Sequence, residues 1–184
     1  PIVIGISAKT QNFISATIVA KIAKELNSKI KIIVGGVHPT MNRSKVLENK
    51  YIDYISIGEG EDTIVKLLIT LENGKDLESV DGIMFKKDGK IITTKPRSYV
   101  ENLDSLDFPL IHAPKVLKDF EKFPKEAFGY IFASRGCPYA CTFCESKSMW
   151  TRKVRYRSPE NIVAELKKMY DFGIKKVNLF IKLK

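Results

Sequence analysis

Short apolar runs alternate with segments of helical periodicity over the first 75 residues. Three β-branched runs have the length and composition of strands buried on both faces: 2–6, 30–36 and 54–57. Between and after them lie segments with apolar side chains at helical spacing, at 12–26, near 43–49 and after the sequence GEGEDT. This alternation of strands and helices predicts an open α/β sheet of parallel strands with right-handed crossovers.

The two longer helices are each expected to carry one apolar face. The face predicted for the first consists of Ile14, Ile18, Val19, Ile22 and Leu26. The face predicted for the second consists of Ile64, Val65, Leu67, Leu68 and Leu71. Side chains at these spacings lie on one side of a helix, so we expect both stripes to be buried.

The pattern changes after residue 80 and changes again near residue 130. Residues 82–94 read as two short strands about Asp88–Gly89, a turn pair typical of hairpins. Residues 101–129 contain several prolines and little periodicity, which predicts a linker over the surface. From 130 onwards a strand, a loop and a helix follow, with Ser158 as the predicted N-cap and Pro159 at the first helical position. We therefore predict three segments: 1–75, an α/β domain; 76–129, a β-hairpin extension and linker; and 130–184, the start of a second βα domain.

Charge and hydropathy narrow the classes of protein. The formal net charge is +10, but the lysines are spread along the chain, which is typical of a solvated surface. One basic cluster, TRKVRYR at 151–157, leaves an anionic substrate or RNA open. No apolar run reaches the roughly 18 residues of a membrane span, and no secretory pattern opens the chain. The sequence thus predicts a cytoplasmic protein.

All three cysteines of the chain lie in one stretch, RGCPYACTFC, at positions 137, 141 and 144. A disulfide framework is disfavoured by the odd number and by the lack of a secretory feature. A structural zinc site usually has four ligands, and His38 and His112 are distant in the sequence. Zinc therefore stays open as an alternative. The third interpretation is an iron–sulfur cluster, in which three thiolates hold three irons and leave the fourth open.

The sequence SRGCPYACTFC resembles the signature of the radical S-adenosylmethionine (SAM) enzymes. The resemblance implies that Cys137, Cys141 and Cys144 hold a [4Fe–4S] cluster whose open iron is chelated by SAM. It also implies that Phe143, just before the third cysteine, lies beside the adenine of SAM. No catalytic residue is assigned beyond these cluster ligands.

The first domain resembles the cobalamin (B12)-binding domain that precedes the radical SAM barrel in one subfamily. The resemblance lies in GISAKT, VGGVHPT and IGEGEDT, and the subfamily includes enzymes similar to the anaerobic magnesium-protoporphyrin monomethyl ester cyclase. Ser7, Gly35 and Gly36 match its cobalamin positions, and Gly58 and Gly60 are expected to line the same crevice. Ligands bind at the carboxyl ends of strands in open α/β sheets, which agrees with this placement.

Two departures from the family pattern limit the resemblance. The Asp-x-His-x-x-Gly loop that supplies a cobalt ligand in many cobalamin proteins is not seen, and His38 is expected to be an ordinary loop histidine. Family members usually carry acidic residues after NLF, whereas this chain continues IKLK. We therefore expect an open Rossmann-like cobalamin-binding domain, incomplete at its N-terminus, followed by only the first βα units of a partial TIM barrel. Whether such a chain is itself an enzyme stays open.

For the complete enzyme, the resemblance implies reductive cleavage of SAM at the cluster, with cobalamin as second cofactor. The reaction would be radical methylation, cyclisation or related chemistry on an unreactive carbon of a small molecule, with an electron donor such as flavodoxin or ferredoxin. One alternative is a non-catalytic fragment that binds cobalamin or a cluster. Another is an RNA-modifying radical SAM enzyme. The sequence disfavours nucleic acid as a partner, because methylthiolating tRNA enzymes have further cysteines in their first domain and this chain has none.

Overall fold

The computed structural model divides the chain into two compact units. One comprises Pro1–Tyr99 and Ser148–Trp150, and the other Val100–Lys147 and Thr151–Lys184. The structure describes residues 3–181. The first residue of the predicted strand 2–6 and the last three residues of IKLK lie outside the described residues. The first unit continues past residue 75 as far as Tyr99, and the division into 1–75, 76–129 and 130–184 stays a prediction.

The first unit is built on one five-stranded sheet. Its elements are β1 (Val3–Ser7), α1 (Phe13–Leu26), β2 (Lys31–Gly35), α2 (Val37–Asn42), α3 (Ser44–Leu47), β3 (Tyr54–Ser56), α4 (Glu61–Glu72), β4 (Ile83–Lys87) and β5 (Lys90–Thr93). The strand order is β1-β2-β3-β4-β5, and the first three strands are parallel. Both faces of the sheet carry buried aliphatic and aromatic side chains. The predicted open α/β sheet is confirmed.

The hairpin of β4 and β5 is part of this sheet, not an extension beside it. Strand β4 pairs antiparallel with β3, and Ile83, Met84 and Phe85 are buried. The turn has positive φ at Asp88 (50°) and at Gly89 (74°), as a two-residue turn of type I′ requires. The predicted turn pair is therefore confirmed, and the hairpin closes one end of the parallel sheet with two antiparallel strands.

Helix α1 lies on the sheet through alanines, and the apolar stripe predicted to be buried is exposed. Ala16, Ala20 and Ala23 are the buried residues of this helix. The stripe that faces away is Ile14, Ile18, Val19, Ile22 and Leu26. The face predicted for α4 is confirmed in part, since Leu67 is buried and Ile64 and Leu71 pack against the core, while Val65 and Leu68 are exposed. The prediction for α1 was wrong because this helix has two apolar faces, and spacing alone does not show which one meets the sheet.

This arrangement predicts a small effect on stability for one substitution on α1 and a large effect for another. Ile18→Gln is expected to change the free energy of unfolding by less than about 0.5 kcal/mol, because Ile18 is 52% exposed. Ala20→Leu is expected to destabilise by about 1–3 kcal/mol, because Ala20 is fully buried and a larger side chain forces the helix away from the sheet. Urea unfolding measures both. A greater loss for Ile18→Gln than for Ala20→Leu would contradict the observed orientation.

The second unit holds two short sheets and two helices of eight residues or more. Its elements are α5 (Pro109–Val116), β6 (Tyr130–Phe132), β7 (Ser134–Arg135), β8 (Arg155–Tyr156), α7 (Pro159–Phe172) and β9 (Asn178–Phe180). Strands β6 and β9 are parallel, and β7 and β8 are antiparallel. A further short helix, α6 (Ser146–Trp150), follows the cysteine loop, and its last three residues are assigned to the first unit. The core consists of Ile131, Met169 and Ile174, with partly buried side chains around them.

The predicted irregular linker at 101–129 is wrong in part. It contains α5, which begins with Pro109 at its first position, and three turns of 3-10 helix. Proline is well suited to the first helical turn, where the missing N–H has no partner to lose. Pro109 therefore begins a helix, whereas the sequence-based prediction treated the prolines of this segment only as interruptions of regular structure.

The predicted cap of α7 is confirmed. The Ser158 side chain accepts a hydrogen bond from the Asn161 N–H at 3.1 Å, Pro159 begins the helix, and Gly173 ends it with φ of 93°. Asp104 in turn accepts the Ser158 N–H at 3.0 Å. Hydrogen bonds from Ser158 hold the pKa of the Asp104 carboxyl below its usual range. Among the described residues, no helix combines the length and the apolar character that a membrane crossing needs.

Candidate functional site

The carboxyl ends of the three parallel strands bring together the residues predicted to bind cobalamin in the first domain. Ser7 and Gly35 are register partners on β1 and β2, and the Ala8 N–H donates to the Gly35 carbonyl at 2.8 Å. Gly36 has φ of 96°, and a Cβ built there would stand 2.9 Å from the Ala8 carbonyl oxygen. Gly36 therefore lets the loop after β2 approach the loop after β1, which no other residue type allows without strain.

Thr40 connects two of the predicted glycine turns. Its hydroxyl donates to the Gly36 carbonyl at 2.7 Å and accepts the Gly58 N–H at 3.0 Å, and its side chain is buried. Gly58 has φ of 76° and leads to Gly60, the N-cap of α4. The sequence reading missed Thr40, because only the fold shows that a residue after the glycine pair reaches the turn after β3.

Ser56 is a second residue of this edge that the sequence reading missed, because it stands in the apolar run YISI. It ends β3 and is 6% exposed. A Cβ at Gly35 would lie 3.6 Å from the Ser56 Cβ, and a Cβ at Gly60 would lie 3.8 Å from the Ser56 Oγ. Within residues 3–181, the Ser56 Oγ has no hydrogen-bond partner. The residues of this edge are called the glycine edge below: Ser7, Gly35, Gly36, Thr40, Ser56, Gly58 and Gly60.

Gly36→Ala is expected to destabilise the first unit by about 1–3 kcal/mol, because alanine at positive φ is strained and its Cβ would collide with the Ala8 carbonyl. Gly5→Ala is the matched control in β1, since a Cβ there meets nothing within 4 Å. The control is expected to stay within about 1 kcal/mol of the unsubstituted chain. Thermal unfolding followed by circular dichroism compares them. Equal midpoints for the two variants would show that the Gly36 turn is not constrained as described.

The two histidines are held by contacts within their own units. The His38 ring stacks on Phe13 with centroids 4.0 Å apart, and its Nδ1 lies 3.2 Å from the Thr10 Oγ1. His38 lies in α2 and not in a loop, so that part of the prediction was wrong, and its ring is held by contacts within the first unit. His112 is exposed, and its Nε2 lies 2.8 Å from the Asp107 carboxylate.

The cysteine loop follows β7 in the second unit. Gly136 has φ of 101°, and a Cβ there would collide with the Lys153 carbonyl oxygen, so the start of the loop requires glycine. The Cys137 N–H donates to the Thr151 carbonyl at 3.3 Å, and Cys137 is buried. Cys141 and Cys144 are exposed, and the Cys144 N–H donates to the Cys141 carbonyl at 3.2 Å. The loop is thus fixed at one end and presents two of its three thiols.

None of the three cysteines forms a disulfide bond within the described residues. In the part of the chain that the structure describes, no three His, Cys, Asp or Glu side chains are grouped around one metal-ion position. A [4Fe–4S] cubane does not require three side chains around a single metal-ion position, because each thiolate binds a different iron. The Cys144 Sγ lies 3.0 Å from the Ser146 Oγ, and Phe143 is 89% exposed. The predicted ligands and the predicted adenine neighbour therefore share one loop, and their roles stay predictions.

The basic cluster at 151–157 does not form one exposed patch. Arg155 is buried and donates to the Val100 carbonyl at 2.7 Å. Arg157 forms an ion pair with the buried Glu165 and donates to the Asn161 side chain at 2.7 Å. Two arginines that raised the possibility of RNA binding are thus part of the interior of the second unit.

The fold and the loop define a class of protein: an α/β domain with a glycine-lined carboxyl edge, followed by a three-cysteine loop at the end of a strand. Two family models match in that order, the B12 binding domain at residues 1–68 and the Radical SAM superfamily at residues 131–181. The chain thus carries a B12-binding domain and a radical SAM segment, and the resemblance predicted from the sequence is confirmed.

Two relatives match this chain over nearly its whole length. The chain is 33% identical over 181 residues to an uncharacterized methyltransferase of Pyrococcus horikoshii, which covers 96% of this chain and 39% of that protein. It is 33% identical over 183 residues to the anaerobic magnesium-protoporphyrin IX monomethyl ester cyclase of Rubrivivax gelatinosus, covering 94% of this chain and 32% of the cyclase. The chain thus spans less than half the length of these relatives.

Solved structures show the same fold. The radical SAM methyltransferase TsrM of Kitasatospora setae, with tryptophan and a SAM analogue bound, superposes with a TM-score of 0.74 at 14% identity, covering 97% of this chain and 36% of TsrM. The cobalamin-dependent SAM radical enzyme OxsB, with aqua-cobalamin bound, gives a TM-score of 0.72 at 25% identity, covering 94% of this chain and 24% of OxsB. Both comparisons extend over the two units of the chain.

Proposed function

We propose that this chain contributes the cobalamin-binding domain and the first barrel units of a radical SAM enzyme. The enzyme would cleave SAM reductively at a [4Fe–4S] cluster and use cobalamin as second cofactor. Its reaction would be methylation, cyclisation or related chemistry on an unreactive carbon of a small molecule. The observation that carries the proposal is the glycine edge and the three-thiol loop in one chain, in the order of the two family matches.

The residues of the glycine edge fit a cobalamin ligand. A Cβ at Gly35 or at Gly60 would stand in van der Waals contact with Ser56, and the buried Ser56 hydroxyl has no hydrogen-bond partner among the described residues. Parallel strands of an open sheet present such space at their carboxyl ends, where a large ligand reaches the backbone. Ser7, Gly35, Gly36, Gly58 and Gly60 are therefore proposed to bind cobalamin, as predicted from the sequence.

The donor set of the cysteine loop fits a cubane cluster with one open iron. Cys137, Cys141 and Cys144 are proposed as its ligands, since these three thiols stand within one loop. When bound, the cluster supplies the electron that cleaves the carbon–sulfur bond of SAM. Gly136 and the hydrogen bond from the Cys137 N–H to Thr151 hold the start of the loop in place. The exposed ring of Phe143 is proposed to pack against the adenine of SAM.

Anaerobic reconstitution of the full chain with iron, sulfide and hydroxocobalamin tests the proposal. We expect about four irons per chain, a signal from the dithionite-reduced cluster in electron paramagnetic resonance, and a change in that signal when SAM is added. Cobalamin retained after desalting is measured by its visible absorbance. A chain that binds zinc but assembles no cluster and retains no cobalamin would refute the proposal.

A second candidate is a binding fragment without catalysis. The observation that favours it is the coverage, since the chain spans 39% or less of the relatives named above. Formation of 5′-deoxyadenosine from SAM by the reconstituted chain separates the two candidates. Cofactor binding without this product would favour the binding fragment. Dithionite supplies the electron that this cleavage requires in the assay, and flavodoxin or ferredoxin is proposed as the donor for the complete enzyme. The search for a small-molecule substrate follows only if the product forms.

A further inference from the structure

Ser56 differs from the other hydroxyl groups buried near the glycine edge. The Thr40 hydroxyl donates to Gly36 and accepts from Gly58, and the Thr63 hydroxyl donates to the Asp81 carbonyl at 3.2 Å. The Ser56 hydroxyl makes no hydrogen bond within residues 3–181, although its atom is inaccessible to solvent. The two threonines therefore have structural partners that account for them, and Ser56 does not.

A buried hydroxyl without a partner costs free energy, and an apolar residue at the same place would avoid that cost. The neighbours of Ser56 make such a residue easy to accommodate. Tyr54 and Ile55 precede it in β3, and Ile83 is its register partner on β4, all of them buried. Buried polar side chains in folded proteins are nearly always bonded to protein, water or ligand, so this one calls for a partner from outside the chain.

The space beside Ser56 lies at the edge where the ligand is proposed to bind. The open positions of Gly35 and Gly60 are 3.6 Å from its Cβ and 3.8 Å from its Oγ, respectively. Both glycines are partly exposed, so a ligand atom that takes the place of either absent Cβ stands within van der Waals distance of Ser56. Cobalamin carries amide side chains and a phosphate in its nucleotide tail, and both present oxygens that accept a hydrogen bond from a hydroxyl.

We infer that Ser56 is a ligand-binding residue of the glycine edge, and that its hydroxyl donates a hydrogen bond to an amide or phosphate oxygen of bound cobalamin. The inference rests on the proposed function. It assigns to Ser56 a role in affinity and none in holding the sheet together. It also separates Ser56 from Gly36 and Thr40, whose contacts maintain the shape of the edge.

Ser56→Ala in the full chain tests this assignment with two readouts, and Ser28→Ala is the matched control. Ser28 is exposed in the turn before β2, at the opposite edge of the sheet. Isothermal titration with hydroxocobalamin is expected to give a Kd about 3–10-fold higher for Ser56→Ala and an unchanged Kd for the control. Thermal unfolding without cobalamin is expected to give Ser56→Ala a midpoint equal to or above that of the unsubstituted chain, because a costly buried hydroxyl is removed.

Three outcomes would overturn the inference. An equal Kd for Ser56→Ala, with cobalamin bound by the unsubstituted chain, would leave the proposed function intact and remove Ser56 from the site. A lower midpoint for Ser56→Ala without ligand would show that the hydroxyl has a structural partner, such as a bound water. If the unsubstituted chain binds no cobalamin, the cobalamin part of the proposed function fails, and the inference fails with it.

Discussion

Cys141→Ala abolishes the iron–sulfur cluster if the proposed ligand set is correct. Two remaining thiolates leave two irons of the cubane without protein ligands. We expect iron to fall from about four per chain to near zero after anaerobic reconstitution and desalting. The signal of the dithionite-reduced sample is expected to disappear with it.

Ser146→Ala is the matched control for this experiment. Ser146 lies beside the loop, with its Oγ 3.0 Å from the Cys144 Sγ, but it offers no thiolate. It is expected to keep the iron content and the signal, and circular dichroism checks that both variants are folded. Retention of a full cluster by Cys141→Ala would rule out the three-cysteine ligand set, whatever happens with cobalamin.

Glu165→Ala is expected to destabilise the second unit by about 3–5 kcal/mol. Glu165 is 2% exposed, and its carboxylate pairs with the Arg157 guanidinium, which also lies over the Phe108 ring at 5.4 Å. Removal of the carboxylate leaves a largely buried guanidinium without its counter-charge. Urea unfolding followed by far-ultraviolet circular dichroism measures the loss.

The exposed pair of Lys153 and Glu101 is the control for that substitution. Its nitrogen and oxygen are 3.0 Å apart, but both side chains are more than two-thirds exposed. Lys153→Ala is therefore expected to cost less than about 1 kcal/mol. Comparable losses for Lys153→Ala and Glu165→Ala would contradict the difference in burial on which the prediction depends.

Local patterns predicted the elements well where the signal lies within the element itself. The β-branched run of β2, the Asp88–Gly89 turn and the Ser158–Pro159 start of α7 all fold as predicted. Each depends on backbone preferences of adjacent residues, which a single sequence displays. The cysteine loop is of the same kind, since its spacing is visible without the fold.

Features that depend on distant partners were not predictable in this way. The alanine face of α1 packs against the sheet, although the isoleucine face is the more hydrophobic of the two in the sequence. Only the fold shows which face is buried. The sequence places Arg157 in a basic cluster, and only the fold shows that it forms an ion pair with Glu165. The contacts of Thr40 and Ser56 could not be predicted, because they arise only where three separate turns meet at one edge of the sheet.

The two hydrogen bonds of Thr40 also govern how the glycine edge moves. One hydroxyl joins the turn after β2 to the turn after β3, so neither turn opens without giving up a bond shared with the other. The two turns therefore fluctuate as one cooperative unit and not as independent loops. A ligand that orders either turn thereby bears the entropic cost of ordering both. Any later contact with the second turn is made to a surface that is already fixed.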